Sequence, residues 1–522
     1  MTALAGTGTL LRLALRRDRV TTPAWIGVNA LMVLSMPHTL TTLYGTESER
    51  TGLVRQLQTS AAFRALIGPL HDTSPGGLTA WRVGVYAGVL AAVTALLVVV
   101  RHTREEEETG RAELLASGAV GRRAALTSAL LAAAAANGVL ALLITAGLAG
   151  RGIAGALSLG LGLAGTGMVF ATAAAVAVQL TESARLARGL TSASLGVAFV
   201  LRAAGDAARG DGTSPSTWLS PLGWLENLRP FAAERWWVLG LFTAAALAQA
   251  GVAYVLAGRR DLGMSFFPAR PGPAAGRLGS AFALAWRLQR GALLGWSLGF
   301  LLSGVVFGGL ARSAADLVGS NESARQIFER MGGRSGVTDA FLASMAGILG
   351  LVAALYVVAS VMRLHAEETA GRAEPLLACA VGRLRWAAGH LAVAFGGSAL
   401  IMLLAGLGLA AGYGREPGPV LGACLVQLPA VWVIGGLALL LYGAAPRLAP
   451  AAWAVAVAVL LIGWVGPALD APRAVLDLSP YGHLPKLPGG PMAWGPVAAL
   501  LGAAVALVLL GLAGVRRRDL TV

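Results

Sequence analysis

Residues 104–123 read REEEETGRAELLASGAVGRR, and residues 367–385 read EETAGRAEPLLACAVGRLR. At a constant offset of 261 positions and with no gap, 11 of the 17 residues from Glu106 to Arg122 recur in the second stretch. A chain rich in alanine, glycine, leucine and arginine would give roughly two identities by chance. Repetition at this spacing predicts two related halves, each with a charged segment at the same place.

The composition predicts a membrane protein. Of the 522 residues, 56% are hydrophobic and 13% are charged, and the mean hydropathy is +0.69. Soluble domains carry about 25% charged residues. Runs such as 83–100 and 493–515 reach or exceed the roughly 18 apolar residues that cross a bilayer. Because backbone groups facing lipid must bond within their own segment, the spans are expected to be helices.

The apolar runs predict an all-α polytopic membrane protein with twelve transmembrane helices, arranged as two parallel repeats of six. The expected first half covers residues 1–262, a Pro/Gly/Arg-rich linker covers 263–280, and the second half covers 281–522. Shorter repeated sequences support this division. The sequence LSP at 219–221 recurs at 478–480, and RRDL at 259–262 recurs at 517–520.

The predicted spans have the following approximate limits: 24–44, 81–100, 124–148, 153–180, 190–204, 236–257, 291–311, 339–362, 387–412, 420–442, 451–469 and 494–514. Basic residues are in excess on the side of the spans that carries both termini, and this excess marks the cytoplasmic side. The chain is therefore expected to be a multi-pass protein of the cell membrane with both termini and both charged segments in the cytoplasm. Because the arginines flank spans, the net charge of +15 does not indicate nucleic-acid binding.

The sequence predicts no enzyme chemistry in this chain. No arrangement of residues typical of a catalytic site is visible, two cysteines are too few for a zinc cluster, and six scattered histidines lack metal-ligand spacing. A phosphate-binding loop needs a lysine before serine or threonine. The single lysine, Lys486, precedes leucine. No metal and no cofactor bound by this chain are expected.

The two charged segments are the candidate functional elements. In a continuous helix, Glu107 with Arg111 and Glu368 with Arg372 would form i, i+4 ion pairs in the favourable order. One interpretation is a solvated connector between spans. The other is a pair of equivalent docking sites for a two-fold partner, which the run of four glutamates at 105–108 and its partial repetition favour.

Six spans per half, an amphipathic N-terminal segment and a charged segment between the second and third spans resemble the type-2 ATP-binding-cassette (ABC) exporter permeases. The duplicated EE-x-x-G-R-x-E-x-L…V-G-R pattern is also similar to the actinobacterial (tetronasin-type) exporter permeases of polyketide antibiotics. The resemblance implies a fused pseudo-dimer that exports hydrophobic compounds. It also implies two copies of a separate ATP-binding subunit, which would hold ATP and Mg²⁺.

On this resemblance, residues of about 104–123 and 365–385 would form coupling helices that seat on the ATP-binding subunits. The implied contact residues of the first half are Glu106, Glu107, Gly110, Arg111, Glu113, Leu115, Gly121 and Arg122. Those of the second half are Glu367, Glu368, Gly371, Arg372, Glu374, Leu376, Gly382 and Arg383. Pro375 replaces Leu114 in the second copy, so the two couplings are expected to be unequal.

For the substrate path, the resemblance points to the first, second and fifth spans of each half. The aromatic and sulfur-containing side chains there would suit a large lipophilic ligand, although ordinary helix packing explains them equally well. These candidates are Tyr86, Trp296, Phe300, Phe341, Met345 and Tyr356.

An alternative is a proton-coupled multidrug antiporter of the major-facilitator type, which also has six plus six spans. The charged segments are longer than the repeated motif of that class and lack its Asp-Arg-x-Gly-Arg order. The predicted spans also offer no carboxylate for proton coupling. These features favour the ATP-driven exporter.

Overall fold

A computed structural model describes residues 3–43, 52, 58, 61–116, 118, 120–261, 263–267, 279–320, 334–415, 417–465 and 472–519. Within these residues every regular element is a helix. The chain divides into two compact units, Met1–Pro271 and Gly272–Val522. Residues 268–278 of the predicted linker lie outside the described residues.

Unit 1 contains twelve described α-helices. They are α1 (Thr7–Arg17), α2 (Thr21–Leu43), α3 (Ala61–Ile67), α4 (Pro75–Arg101), α5 (Arg104–Glu108), α6 (Arg111–Ala116), α7 (Ala124–Leu148), α8 (Ile153–Leu180), α9 (Ala184–Ala208), α10 (Pro215–Trp218), α11 (Pro221–Asn227) and α12 (Val238–Arg259). Helices α4 and α8 form the centre of the unit, whereas α12 buries little of its surface.

Unit 2 contains nine described α-helices. They are α13 (Ala281–Ser320), α14 (Arg334–Thr369), α15 (Ala373–Leu377), α16 (Arg383–Tyr413), α17 (Pro417–Leu425), α18 (Leu428–Ala444), α19 (Ala451–Val465), α20 (Arg473–Leu476) and α21 (Trp494–Arg517). The core of the unit lies among α14, α16 and α18, and α21 is its most exposed span.

Glycines allow α13 and α16 to cross closely. A Cβ atom at Gly304 or Gly308 would lie 2.3 or 2.1 Å from a backbone oxygen of α16, and one at Gly408 or Gly412 would lie 2.2 or 2.1 Å from a backbone oxygen of α13. Each pair is spaced i, i+4. Small residues at this spacing let helix backbones pack directly inside membranes, where no hydrophobic force drives helices together.

Nine described helical segments are long and apolar enough to cross a bilayer, and the pair α1 and α2, bent by 66°, is a tenth candidate. The part of the chain that the structure describes is therefore all-helical, and the protein is a polytopic membrane protein. The number of spans and the twofold repeat stay predictions. At the predicted fifth span the structure has α9, which carries Arg185, Arg188, Arg202 and Asp206 and is not among these candidates. At the eleventh, α19 is described over 15 residues, about 22 Å of a bilayer core roughly 30 Å thick.

Candidate coupling site

Neither charged segment is one continuous helix, so the expectation of an unbroken helix over each of 104–123 and 365–385 is wrong, and the coupling role of the segments stays a prediction. In unit 1 the segment folds as α5 and α6, separated by Thr109 and Gly110. In unit 2 the long helix α14 ends at Thr369, and the short helix α15 begins four residues later. The physical reason is a glycine in the left-handed region, since φ is 72° at Gly110 and 68° at Gly371.

Alanine at either glycine should loosen the charged segment. A side chain in the left-handed region costs about 1–2 kcal/mol, so Gly110→Ala and Gly371→Ala should each raise local opening at least fivefold. The rate of limited trypsin cleavage after Arg111 or Arg372 measures this opening. Gly382→Ala is the matched control, because Gly382 has φ −71° and open space around its Cβ position. Equal cleavage rates in all three variants would contradict the prediction.

An ion pair closes the turn in both units. Glu106 accepts hydrogen bonds from Nε and Nη2 of Arg111 at 3.0 and 3.3 Å. Glu367 accepts the equivalent bonds from Arg372 at 2.8 and 3.4 Å. The predicted i, i+4 pairs from Glu107 and Glu368 to these arginines are therefore wrong. The left-handed glycine turns the chain after the glutamates, which brings the arginine back to the residue five positions earlier.

The next glutamate in each unit, Glu107 or Glu368, binds the arginine that directly follows the last helix of that unit. Arg260, directly after α12, donates from both Nη atoms to the two carboxylate oxygens of Glu107 at 2.6 and 2.8 Å. Arg518, directly after α21, donates in the same bidentate way to Glu368, with both distances 2.6 Å. Parallel bonds of this kind are among the strongest charge-assisted hydrogen bonds in proteins.

The arginine that ends each charged segment completes this contact. Arg122 donates to the backbone oxygen of Arg260 at 2.5 Å, and Arg383 donates to the backbone oxygen of Arg518 at 2.6 Å. We call Glu107, Arg122 and Arg260 the clamp of unit 1. The clamp of unit 2 is formed by Glu368, Arg383 and Arg518. The two clamps join residues that occupy matching positions in the repeated stretches of sequence.

The surroundings of the two clamps differ. In unit 1, Glu107 also pairs with the buried Arg104, and Arg260 donates to Oε1 of Gln179 on α8. In unit 2, the hydroxyl of Tyr442 donates to Glu368 at 2.6 Å, and the guanidinium of Arg518 lies 4.7 Å from the centre of the Tyr442 ring. The two clamps therefore share one geometry, but they contact different neighbouring side chains.

The predicted contact residues fall into two groups. Glu106, Glu107, Glu367 and Glu368 point into their own units, where side-chain exposure is at most 14%. Apart from Arg111, the exposed residues of α6 and α15 are Glu113, Leu114, Glu374 and Pro375, and 75% of the surface of Leu114 is exposed. Sequence reasoning chose Leu115, but this side chain is half-buried and lines a cavity of about 160 Å³ beneath α6.

The other predicted site residues occupy the margins of the segments. Arg111 and Arg372 keep about half of their side-chain surface exposed while they bind their glutamates. Gly121 donates its backbone N–H to the backbone oxygen of Ala5 at 2.9 Å, so the residues before α1 lie against the end of the charged segment. Leu376 packs against the core of unit 2.

The predicted substrate-path residues lie within each unit as packing contacts. Tyr86 donates to the backbone oxygen of Leu66 at 3.2 Å in unit 1. In unit 2, the ring of Trp296 lies 5.9 Å from that of Phe300 and 6.0 Å from that of Tyr356. Both of the latter side chains are buried, and Phe341 and Met345 pack against the same core. A role in a substrate path stays a prediction.

Sequence reasoning missed a buried charged cluster in unit 1. Arg202 on α9 binds Asp206 at 3.3 Å and Glu226 of α11 at 3.0 Å, and it donates to the backbone oxygen of Ala65 at 2.9 Å. Arg202 and Asp206 have no exposed surface. Thr217 donates to Asp206 at 3.1 Å. The i, i+4 spacing of the arginine and aspartate inside an apolar run was the available signal.

Burial makes this cluster sensitive to pH. Desolvation raises the pKa of Glu226 well above its ordinary value and also raises that of Asp206, against the opposing effect of Arg202. The folded chain therefore holds these protons more tightly than the unfolded chain does. Stability is present below the unfolded carboxyl pKa of about 4.3 and is lost as pH rises through the raised values.

Glu226→Gln should remove part of this pH dependence. The unfolding temperature of the wild-type chain in detergent should fall as the pH rises from the unfolded carboxyl pKa of about 4.3 through the raised pKa values of Glu226 and Asp206. The glutamine variant should show a smaller fall, because its amide does not titrate. Glu113→Gln, at an exposed position, should behave as wild type. A steeper fall in the Glu226→Gln variant would show that this carboxyl does not hold the proton.

The long apolar helices and the two charged segments define a polytopic helical membrane protein. Residues 278–516 match the family model of the C-terminal domain of the multidrug efflux system permease Rv1217c. The chain is 42% identical over 531 aligned positions to the multidrug efflux system permease protein Rv1217c of Mycobacterium tuberculosis, with 98% of this chain and 95% of that relative covered. The chain belongs to this family of multidrug efflux system permeases.

Proposed function

We propose that this chain is the membrane permease of an ATP-driven exporter that removes lipophilic compounds, such as drugs or polyketide antibiotics, from the cell. Membership in a family named for multidrug efflux supports export of drugs. Two copies of a separate ATP-binding subunit would supply the energy, and ATP and Mg²⁺ would be bound there. The narrower likeness to polyketide-antibiotic exporters identifies one class of substrate to test.

The observation that carries the proposal is the repetition of one arrangement in both units. Each unit presents a short exposed helix, α6 or α15, after the same glycine turn and beside the same clamp. A partner that hydrolyses ATP as a dimer needs two such surfaces. We place both on the cytoplasmic side, as the distribution of arginines predicts.

The structure changes which residues we assign to docking. A carboxylate that is already bound bidentately within its own unit has little capacity left for a partner. We therefore assign the contact to the outward residues Glu113 and Leu114 of unit 1 and to Glu374 and Pro375 of unit 2. The buried glutamates instead hold the short helices in place.

Purification in mild detergent tests the proposal. The chain is purified from its native membrane, and copurifying subunits are identified and counted. An ATPase at two copies per chain is expected, together with ATP-dependent uptake of ethidium into inverted membrane vesicles. A chain without an ATPase that moves ethidium under an imposed proton gradient would overturn the proposal and support the antiporter.

A further inference from the structure

The same contact forms at the C-terminal ends of α12 and α21, which indicates that it has a function. In each unit the last arginine of an RRD sequence binds a glutamate of the charged segment, while its backbone oxygen accepts a bond from the arginine that ends that segment. The segment thus binds the helix end from two sides, through the side chain and through the backbone.

The clamp arginines differ from their neighbours. The side chains of Arg260 and Arg518 are 10% and 13% exposed, whereas Arg259 and Arg517, one position earlier, are exposed. A positive charge that only marks membrane orientation would remain in water. Burial of one arginine of each pair against a carboxylate therefore indicates a specific contact.

The helices that end in the clamps are the most exposed of the candidate spans that the structure describes. Only 17% of the apolar window is buried within the unit for α12, and the same fraction holds for α21, the lowest values among the candidate spans. Each of these spans therefore packs on its unit along one face, and for α21 this face lies close to α18, where a Cβ atom at Gly443 would lie 2.2 Å from the backbone oxygen of Gly511. The clamp fixes one end of such a span to the charged segment.

We propose that Arg260 and Arg518 are positioning residues that transmit movement of the charged segments to α12 and α21. This inference rests on the proposed function, in which ATP binding by the partner moves α6 and α15. Because Glu107 and Glu368 lie only a few residues before these short helices, a displacement at the partner surface pulls the clamps. The last span of each unit then moves with the segment.

The test compares two double variants. The clamp variant carries Arg260→Ala and Arg518→Ala in one chain, and the control variant carries Arg259→Ala and Arg517→Ala. The control pair removes the same charges from adjacent exposed positions. Three quantities are measured on the assembled complex: copies of the ATPase per chain, basal ATP hydrolysis, and ethidium transported per ATP hydrolysed. We expect the clamp variant to keep assembly and basal hydrolysis but to lose at least tenfold in ethidium transported per ATP.

Lysine substitutions give a second variant that retains charge and folding. Arg260→Lys with Arg518→Lys keeps one charged bond at each clamp but loses the bidentate geometry, so its transport per ATP should fall between wild type and the alanine variant. The inference is overturned if the clamp variants match the Arg259/Arg517 control. It is also overturned if transport falls only in proportion to lost ATPase copies. A wild-type chain without any ATPase would overturn the proposed function instead, before variants are compared.

Discussion

Arg202→Met is expected to lower the free energy of unfolding by about 3–5 kcal/mol. Methionine fills most of the volume of arginine but leaves Asp206 and Glu226 buried without their cation. A buried carboxylate that loses its partner must either remain charged at high cost or take up a proton. The substitution also removes the bond to the backbone oxygen of Ala65, which joins α9 to α3.

Thermal unfolding of the purified chain in detergent measures this effect. Arg185→Met is the matched control, because Arg185 lies on the same helix and is exposed. The Arg202 variant should unfold several degrees below both wild type and control, and the difference should be largest at alkaline pH, where both carboxyls would be charged. If the two methionine variants unfold together, the cluster does not stabilise unit 1.

The helical, membrane-spanning class and the position of both charged segments could be predicted from sequence. Both follow from local composition and from an ungapped repeat, neither of which depends on how distant parts of the chain meet. The same reasoning placed the ion pairs wrongly. It assumed an unbroken helix, and one glycine in the left-handed region, Gly110 or Gly371, was enough to change the partner of the arginine.

The clamps could not be predicted, although both of their parts were visible as repeats. Glu107 and Arg260 are 153 positions apart, and Glu368 and Arg518 are 150 apart. Periodicity within a helix carries no information on such contacts. The exposure of Leu114 rather than Leu115 could not be predicted from periodicity either. In a helix as short as α6, the turn at Gly110 determines which side faces outward.

Leu114→Asp should weaken binding of the ATP-binding subunit at unit 1 at least tenfold. We assign Leu114 to the minority of interface residues, the hot spots, whose loss costs about 2 kcal/mol or more, and a carboxylate there would also lose its water on docking. Pro375→Asp, at the equivalent position of unit 2, should cost less, because proline offers a smaller and shorter side chain. The two units are thus expected to bind their partners unequally.

Titration of the purified ATP-binding subunit onto the chain in detergent micelles measures both affinities. Leu219→Asp and Leu478→Asp are the matched controls, since these leucines are 71% and 72% exposed at equivalent places in the two units and lie in segments predicted to face away from the cytoplasm. We expect the Leu114→Asp variant to retain one ATP-binding subunit and the double variant Leu114→Asp/Pro375→Asp to retain none. This result would locate the partner on α6 and α15. Wild-type affinity in the double variant, with weaker binding after Leu219→Asp, would place the partner on the opposite side of the membrane and reverse the orientation proposed for the chain.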